Sequence, residues 1–171
     1  MTDGLLLRAG AGRRIQGASM TLKVGAGQSR AWSAFEAEVA PGFDVGAHLH
    51  NEVEELFYIL DGELDLLAFE PRARTADNWR GWEAADGARV LHGGPGATMF
   101  VPAGCPHAFA NPGPGPARMI FLVSPSGHEY YQKELAELVA TTTGPLDTAI
   151  AELRARHDIE QLTPQVIPGR R

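Results

Sequence analysis

Three histidines and one glutamate stand at spacings that could hold a metal ion. Gly42 is followed by His48-Leu49-His50, Glu55 and Gly62; further along come Gly96, Pro102, Gly104, His107 and Asn111. His48, His50, Glu55 and His107 offer nitrogen and oxygen donors and no sulfur. Such a set suits Fe, Ni, Mn, Co, Cu or Zn rather than Ca or Mg, so one divalent transition ion per chain is expected. Four protein donors leave an ion of higher coordination number with vacant positions, and a vacant position marks catalytic rather than structural sites.

The donors need elements that aim them inward. Side chains alternate along a strand, so His48 and His50 share one face. Glu55 has the wrong parity for the same unbroken strand, and a turn or bulge through Asn51 to Val53 restores it. Glu54 and Glu55 then face opposite ways. Only one of the two can reach the ion, and parity alone leaves both open. If Glu55 points inward, so do Phe57 and Ile59, while Leu56, Tyr58 and Leu60 face outward. Phe109 follows His107 in the same way. Phe57, Ile59, Met99 and Phe109 are therefore the expected wall of an apolar substrate pocket.

The surrounding pattern is many short strands followed by helices. Strands are predicted at Leu5 to Leu7, Met20 to Val24, Ala34 to Val39, Leu56 to Leu60, Glu63 to Phe69, Val90 to Leu91, Thr98 to Val101, His107 to Ala110 and Met119 to Val123. Turn residues punctuate nearly every gap, the signature of a sandwich or barrel. Asp61-Gly62 reads as a two-residue hairpin turn with both positions at positive φ, and Pro102-Ala103-Gly104 as a tight turn delivering His107. Leu56 to Leu60 is apolar on both faces, so its outer face calls for a cover, either the C-terminal helices or a second subunit.

From Glu129 to Thr142 an apolar stripe of Tyr131, Leu135, Leu138 and Val139 has helical spacing. Gly144-Pro145 breaks it, and a second helix follows with Ile150 and Leu153 inside. The polar segment from Glu70 to Gly87, with Trp79 and Trp82, is either a lid over an aromatic guest or a surface loop whose tryptophans pack on the outer wall. His92 is expected at a loop edge, and His128 and His157 in the helical tail without a site role. Cys105 is rejected as a fifth ligand, because the turn from Pro102 to Pro106 breaks the strand there.

A chain of 171 residues, 44% hydrophobic and 21% charged, fits a globular domain with an adequate core. The net charge of −6 disfavours a phosphate-tracking nucleic-acid surface. The lone cysteine excludes an internal disulfide and suits a reducing cytosol, so a cytoplasmic location is expected. Leu5-Leu6-Leu7 is too short for a signal-peptide core or a membrane span.

The residues 42–62 resemble the first cupin motif, Gly-x5-His-x-His-x(3,4)-Glu-x6-Gly, and 96–111 match the second, Gly-x5-Pro-x-Gly-x2-His-x3-Asn. The flanks resemble single-domain cupins of the quercetin-dioxygenase-like type. The resemblance implies an all-β double-stranded β-helix, a jelly-roll barrel over 1–125, with a C-terminal helical extension over 126–171 packed on it. It also implies a metal held by His48, His50, Glu55 and His107, and a homodimer. The implied activity is a metal-dependent dioxygenase acting on a flavonol-like or other enolic or aromatic small molecule with dioxygen, Glu55 doubling as the base for the enol proton. Two other classes fit the same residues. One is a redox-neutral isomerase, cyclase or hydrolase of a small carbonyl compound, using the ion as a Lewis acid. The other is a small-molecule binding barrel without turnover.

Overall fold

The computed structural model describes residues 4–143 and 146–168. Eleven strands and two helices occur among them. The strands are β1 (Arg13–Arg14), β2 (Met20–Val24), β3 (Ser33–Val39), β4 (His48–Leu49), β5 (Glu54–Asp61), β6 (Leu64–Ala68), β7 (Leu91–Gly93), β8 (Thr98–Val101), β9 (His107–Ala110), β10 (Ala117–Ser124) and β11 (Glu160–Gln161). The helices are α1 (His128–Thr141) and α2 (Asp147–Arg156). They form two antiparallel sheets, ordered β1-β2-β3-β10-β5-β8 and β11-β4-β9-β6-β7. This is the all-β jelly roll with C-terminal helices that the resemblance implies.

Alternation explains the core. On β5, Glu55, Phe57 and Ile59 are buried while Glu54 and Tyr58 are exposed. On the neighbouring β10, Val123 pairs with Glu55, Phe121 with Phe57 and Met119 with Ile59. Phe121 also pairs with Phe35 of β3, the two rings stacked with centroids 4.7 Å apart. The inner faces of the two sheets thus interdigitate as one core.

Four expectations need correction or refinement. Leu5 to Leu7 is not a strand; nothing among the described residues pairs with it, and Leu6 is 97% exposed. Asp61-Gly62 does not close a hairpin, because β5 and β6 belong to different sheets. Gly62 alone takes positive φ, at 73°, and a Cβ there would lie 2.7 Å from the Ala117 Cα. The turn is a crossing between sheets that passes close to β10, and close passage requires glycine. The tail is not purely helical, since β11 pairs with β4. The C-terminal helices do not seal the outer face of β5: Tyr58 and the adjacent Phe100 are 43% and 54% exposed. The predicted break at Gly144-Pro145 lies outside the described residues.

The segment after β6 follows the wall reading rather than the lid reading. Trp79 and Trp82 are buried with Leu67, Ala108, Ala110 and Ala47, the residues whose side chains point away from the barrel interior. The Trp79 indole N–H donates to Asp44 at 2.9 Å, and Arg80 bridges Asp44 and Asp65.

The helices are tied to the barrel through Glu129. Its carboxylate accepts from the Ser33 hydroxyl at 2.6 Å and from the Ala26 N–H at 2.6 Å. Burial pushes the Glu129 carboxyl up, but these bonds outweigh it and hold it below its ordinary value. A carboxyl lowered by folding adds stability above the unfolded carboxylate range, and that stability is lost as pH falls through the lowered folded value. Glu129→Ala leaves the Ser33 and Ala26 donors without their partner and should cost about 1–3 kcal/mol. Urea unfolding at pH 7 and pH 3 checks this: the deficit should be present at pH 7 and shrink at pH 3. An unchanged midpoint at pH 7 would refute the anchoring role.

Candidate metal centre

Three strands deliver the four donors. His48 lies on β4, His50 follows it, Glu55 is the second residue of β5, and His107 opens β9. His48 and His107 are register partners across β4 and β9. The link from His50 to Glu55 is a bend at Asn51-Glu52, as the parity requires. Asp158 holds this bend, its carboxylate accepting from the Asn51 amide at 3.0 Å and the Glu52 N–H at 2.8 Å. Glu54 is left exposed and Glu55 is 4% exposed, which decides between them.

The donor atoms of His48, His50, Glu55 and His107 all lie within 4.8 Å of one another. Each imidazole is oriented from behind by a backbone carbonyl. The Nδ1 of His48 lies 3.0 Å from Gly46 O, that of His50 2.8 Å from Asp158 O, and that of His107 3.1 Å from Cys105 O. A carbonyl oxygen can only accept, so each Nδ1 carries the proton and each Nε2 presents a lone pair. That is the second shell a metal-ligating histidine normally has. Two of these carbonyls belong to the tight turns that precede β4 and β9. Gly46 has φ 72°, and a Cβ there would sit 2.5 Å from Thr163 O, so only glycine fits. The third carbonyl comes from 108 residues away.

The inward atoms are left over. His50 Nε2, His107 Nε2 and Glu55 Oε2 are buried and have no hydrogen-bond partner among the described residues. Glu55 Oε2 is 2.8 Å from His107 Nε2 and 3.9 Å from His50 Nε2, but lone pairs face each other and the 2.8 Å contact lacks hydrogen-bond geometry. Unsatisfied buried polar atoms cost about 1–3 kcal/mol each, and a divalent cation would satisfy all of them together. Burial, with His107, pushes the His48 imidazole well below its usual value, and burial lowers His50 too, so both stay neutral at pH 7. Burial pushes the Glu55 carboxyl up, but the close His107 imidazole, followed by those of His50 and His128, outweighs it and keeps Glu55 ionised. Neutral imidazoles and an ionised carboxylate are the protonation states a cation needs. The group is thus able to hold a metal.

Three of the donors, His48, His50 and Glu55, open onto a cavity of about 370 Å³. Phe57 and Phe109 line it, together with Phe43, Met119 and Phe121. Ile59 and Met99 do not belong to that wall. β5 runs away from the centre, and Ile59 lies two strand positions deeper than Phe57, packed among core residues; Met99, on the edge strand β8, is likewise in the core.

His128 differs from the expectation for a tail residue. At the start of α1 it reaches the cavity, its ring centroid 6.3 Å from that of His50. Burial pushes it down to about 4, so it is neutral. No local pattern in the sequence marks it, since it reaches the cavity only because α1 folds back on the barrel. His92 lies on β7 between Asp65 and Glu63, and His157 bonds Glu134, both away from the donors. The Cys105 thiol is not in the donor group; its backbone carbonyl positions His107.

The family described as Cupin matches residues 18–152. The chain belongs to the cupin family. No curated protein matches it in sequence. Among solved structures it is similar to the polyketide cyclase RemF from Streptomyces resistomycificus, with 23% identity, TM-score 0.49, and coverage of 73% of this chain and 81% of that one. KdgF from Halomonas sp. is similar at 14% identity and TM-score 0.49, covering 65% and 81%. A conserved Klebsiella pneumoniae protein with a double-stranded β-helix domain gives 16%, TM-score 0.48, 68% and 84%. The described residues of this cupin include no helix long and apolar enough to cross a membrane.

Metal-free protein titrated with Co(II) should take up one ion per chain, develop ligand-field absorbance and melt at a higher temperature. His107→Ala should lose both signals. Asp158→Ala should weaken binding by about tenfold, by loosening the carbonyl that aims His50. A wild-type protein that stays metal-free under ample Co(II) would exclude the centre.

Proposed function

We propose that this cupin is a metal-dependent enzyme in which His48, His50, Glu55 and His107 ligate one divalent transition ion. Its reaction, in this reading, is oxidation by dioxygen of an enolic or aromatic small molecule of flavonol type. The observation that carries it is the convergence of unpartnered Nε2 and Oε2 atoms on one point at the wall of an aromatic-lined cavity. A cation bound there supplies charge that makes a neighbouring enol hydroxyl more acidic.

The remaining work falls to the chain itself. Phe57, Phe109 and Phe121 offer rings against which a planar guest packs, and they exclude water from it. Glu55 is ionised, and its lowered pKa makes it a weak base by itself. It accepts a proton only from a hydroxyl already made acidic, which confines proton transfer to an enol held at the centre. His128, neutral and on the cavity wall, is a second polar contact for the guest.

The homodimer belongs to the same proposal. The exposed Tyr58 and Phe100 lie on the outer face that a second copy would cover, and sedimentation should then give twice the 18.3 kDa chain mass.

Oxygen uptake with flavonols, in the metal-loaded protein, tests the reaction. Glu55→Gln should retain the fold and a bound ion yet lose turnover by about 100-fold or more. Full activity in that variant refutes the base role. Product formed without oxygen consumption moves the protein to the redox-neutral Lewis-acid class, and tight binding without product moves it to the binding class.

A further inference from the structure

Among the described residues every arginine except one is exposed. Most of the exposed ones have carboxylate partners, among them Arg74 with Glu70, Arg80 with Asp44, Arg118 with Glu36 and Arg156 with Glu134. The exception is Arg154 on α2. It is half-buried and lines the same cavity as His48, His50 and Glu55. Its Nη2 donates to the Gln165 side-chain oxygen at 2.7 Å, a neutral partner. The nearby acid Glu134 is engaged by Arg156 and His157 instead.

A guanidinium carries five N–H donors, and one of Arg154's is accounted for among the described residues. Withdrawing a cation from water without a countercharge is unfavourable. A chain of net charge −6 has carboxylates to spare, and none of those described pairs with this arginine. The cavity lining is mainly aromatic and aliphatic, with Phe43, Phe109, Met119 and Leu135, and its carboxylates are Glu38 and Glu55, neither of which pairs with Arg154. Gln161, which also lines the cavity, spends its side-chain N–H groups on the carbonyls of Val45, Ala47 and Thr163. Arg154 is the only lysine or arginine among the lining residues, and His128 is neutral.

We infer that the guest of this cavity bears a carboxylate, separate from the oxygen directed at the imidazoles, and that Arg154 binds it. One planar guanidinium matches one planar carboxylate in a two-pronged contact. A phosphate dianion would call for further cationic groups, which the lining lacks. Apolar rings line the cavity that Arg154 and the imidazoles of His48 and His50 both reach, so the substrate class is an aromatic or enolic carboxylic acid. The inference rests on reading the cavity as a small-molecule site and is independent of whether oxygen is consumed.

The test uses the full chain, metal-free and Co(II)-loaded, with 2-naphthoate and its neutral isostere 2-naphthamide as probes in calorimetric titrations. Metal-free protein isolates the arginine, because no ion is then present to attract a carboxylate. Wild type should bind naphthoate about tenfold more tightly than naphthamide, the worth of one charge-assisted hydrogen bond. Arg154→Gln, checked for native circular dichroism, should lose that preference while its naphthamide affinity stays within about twofold. Arg154→Lys should keep part of the preference, and added salt should erode it in wild type. Equal affinities in wild type, no binding of either probe, or a preference that survives in Arg154→Gln overturns the inference. A preference that holds while no flavonol consumes oxygen overturns only the dioxygenase reading.

Discussion

Three hydrogen bonds from imidazole Nδ1 to backbone carbonyls organise everything else in this protein. Gly46, Cys105 and Asp158 each supply one carbonyl. Once those protons are committed, three Nε2 lone pairs must face inward, and they share that space with the Glu55 carboxylate. Nothing among the described residues satisfies the inward atoms of His50, His107 and Glu55. The fold therefore carries a local electrostatic deficit that its core and sheets must outweigh, and that a cation removes. Ion binding and stability are linked for this reason: an ion that prefers the folded arrangement stabilises it by mass action.

The barrel and the tail divide the task. The strands supply the donors and the aromatic wall. The tail supplies most of the polar boundary, with His128 and Gln132 from α1 and Arg154 from α2. It also fastens the barrel where the motif is weakest, at the bend between His50 and Glu55. Asp158 grips that bend with its carboxylate and aims His50 with its carbonyl. Asp158 is the one non-glycine residue at positive φ among those described, at 55°. Asp tolerates that conformation better than most residues, and its three contacts hold it there.

Residues whose role is set by local spacing were legible in the sequence. His48, His50 and Glu55 lie within eight positions of one another, and strand alternation with one bend fixes which of them converge. Phe57 and Phe109 follow by the same parity. Depth along the barrel is not encoded by parity, which is why Ile59 shares the inward face of Phe57 and still misses the cavity. Long-range pairings left no pattern either. Nothing around Asp61-Gly62 distinguishes a hairpin from a crossing between sheets until the register with β10 is known. Neither His128 nor Asp158 belongs to a motif, and each acquires its place from how the tail folds back.

The tail's return also joins the two halves of the site. Asp158 lies four residues beyond Arg154, and the Ile159 N–H donates to the Arg154 carbonyl at 2.9 Å, so both residues belong to one hydrogen-bonded turn. The group assigned to the guest's carboxylate and the group that orients a metal-facing imidazole are thus carried by a single short segment. A guest that fixes the Arg154 side chain restrains the turn that aims His50. An ion that fixes His50 in turn steadies the segment bearing Arg154, because coupling between two binding events is reciprocal. Cupin barrels share the strands that deliver the donors, and fold alone does not set their chemistry. In this chain the selecting groups sit on the segment least constrained by the barrel motifs, so the guest can change while the donors stay in place.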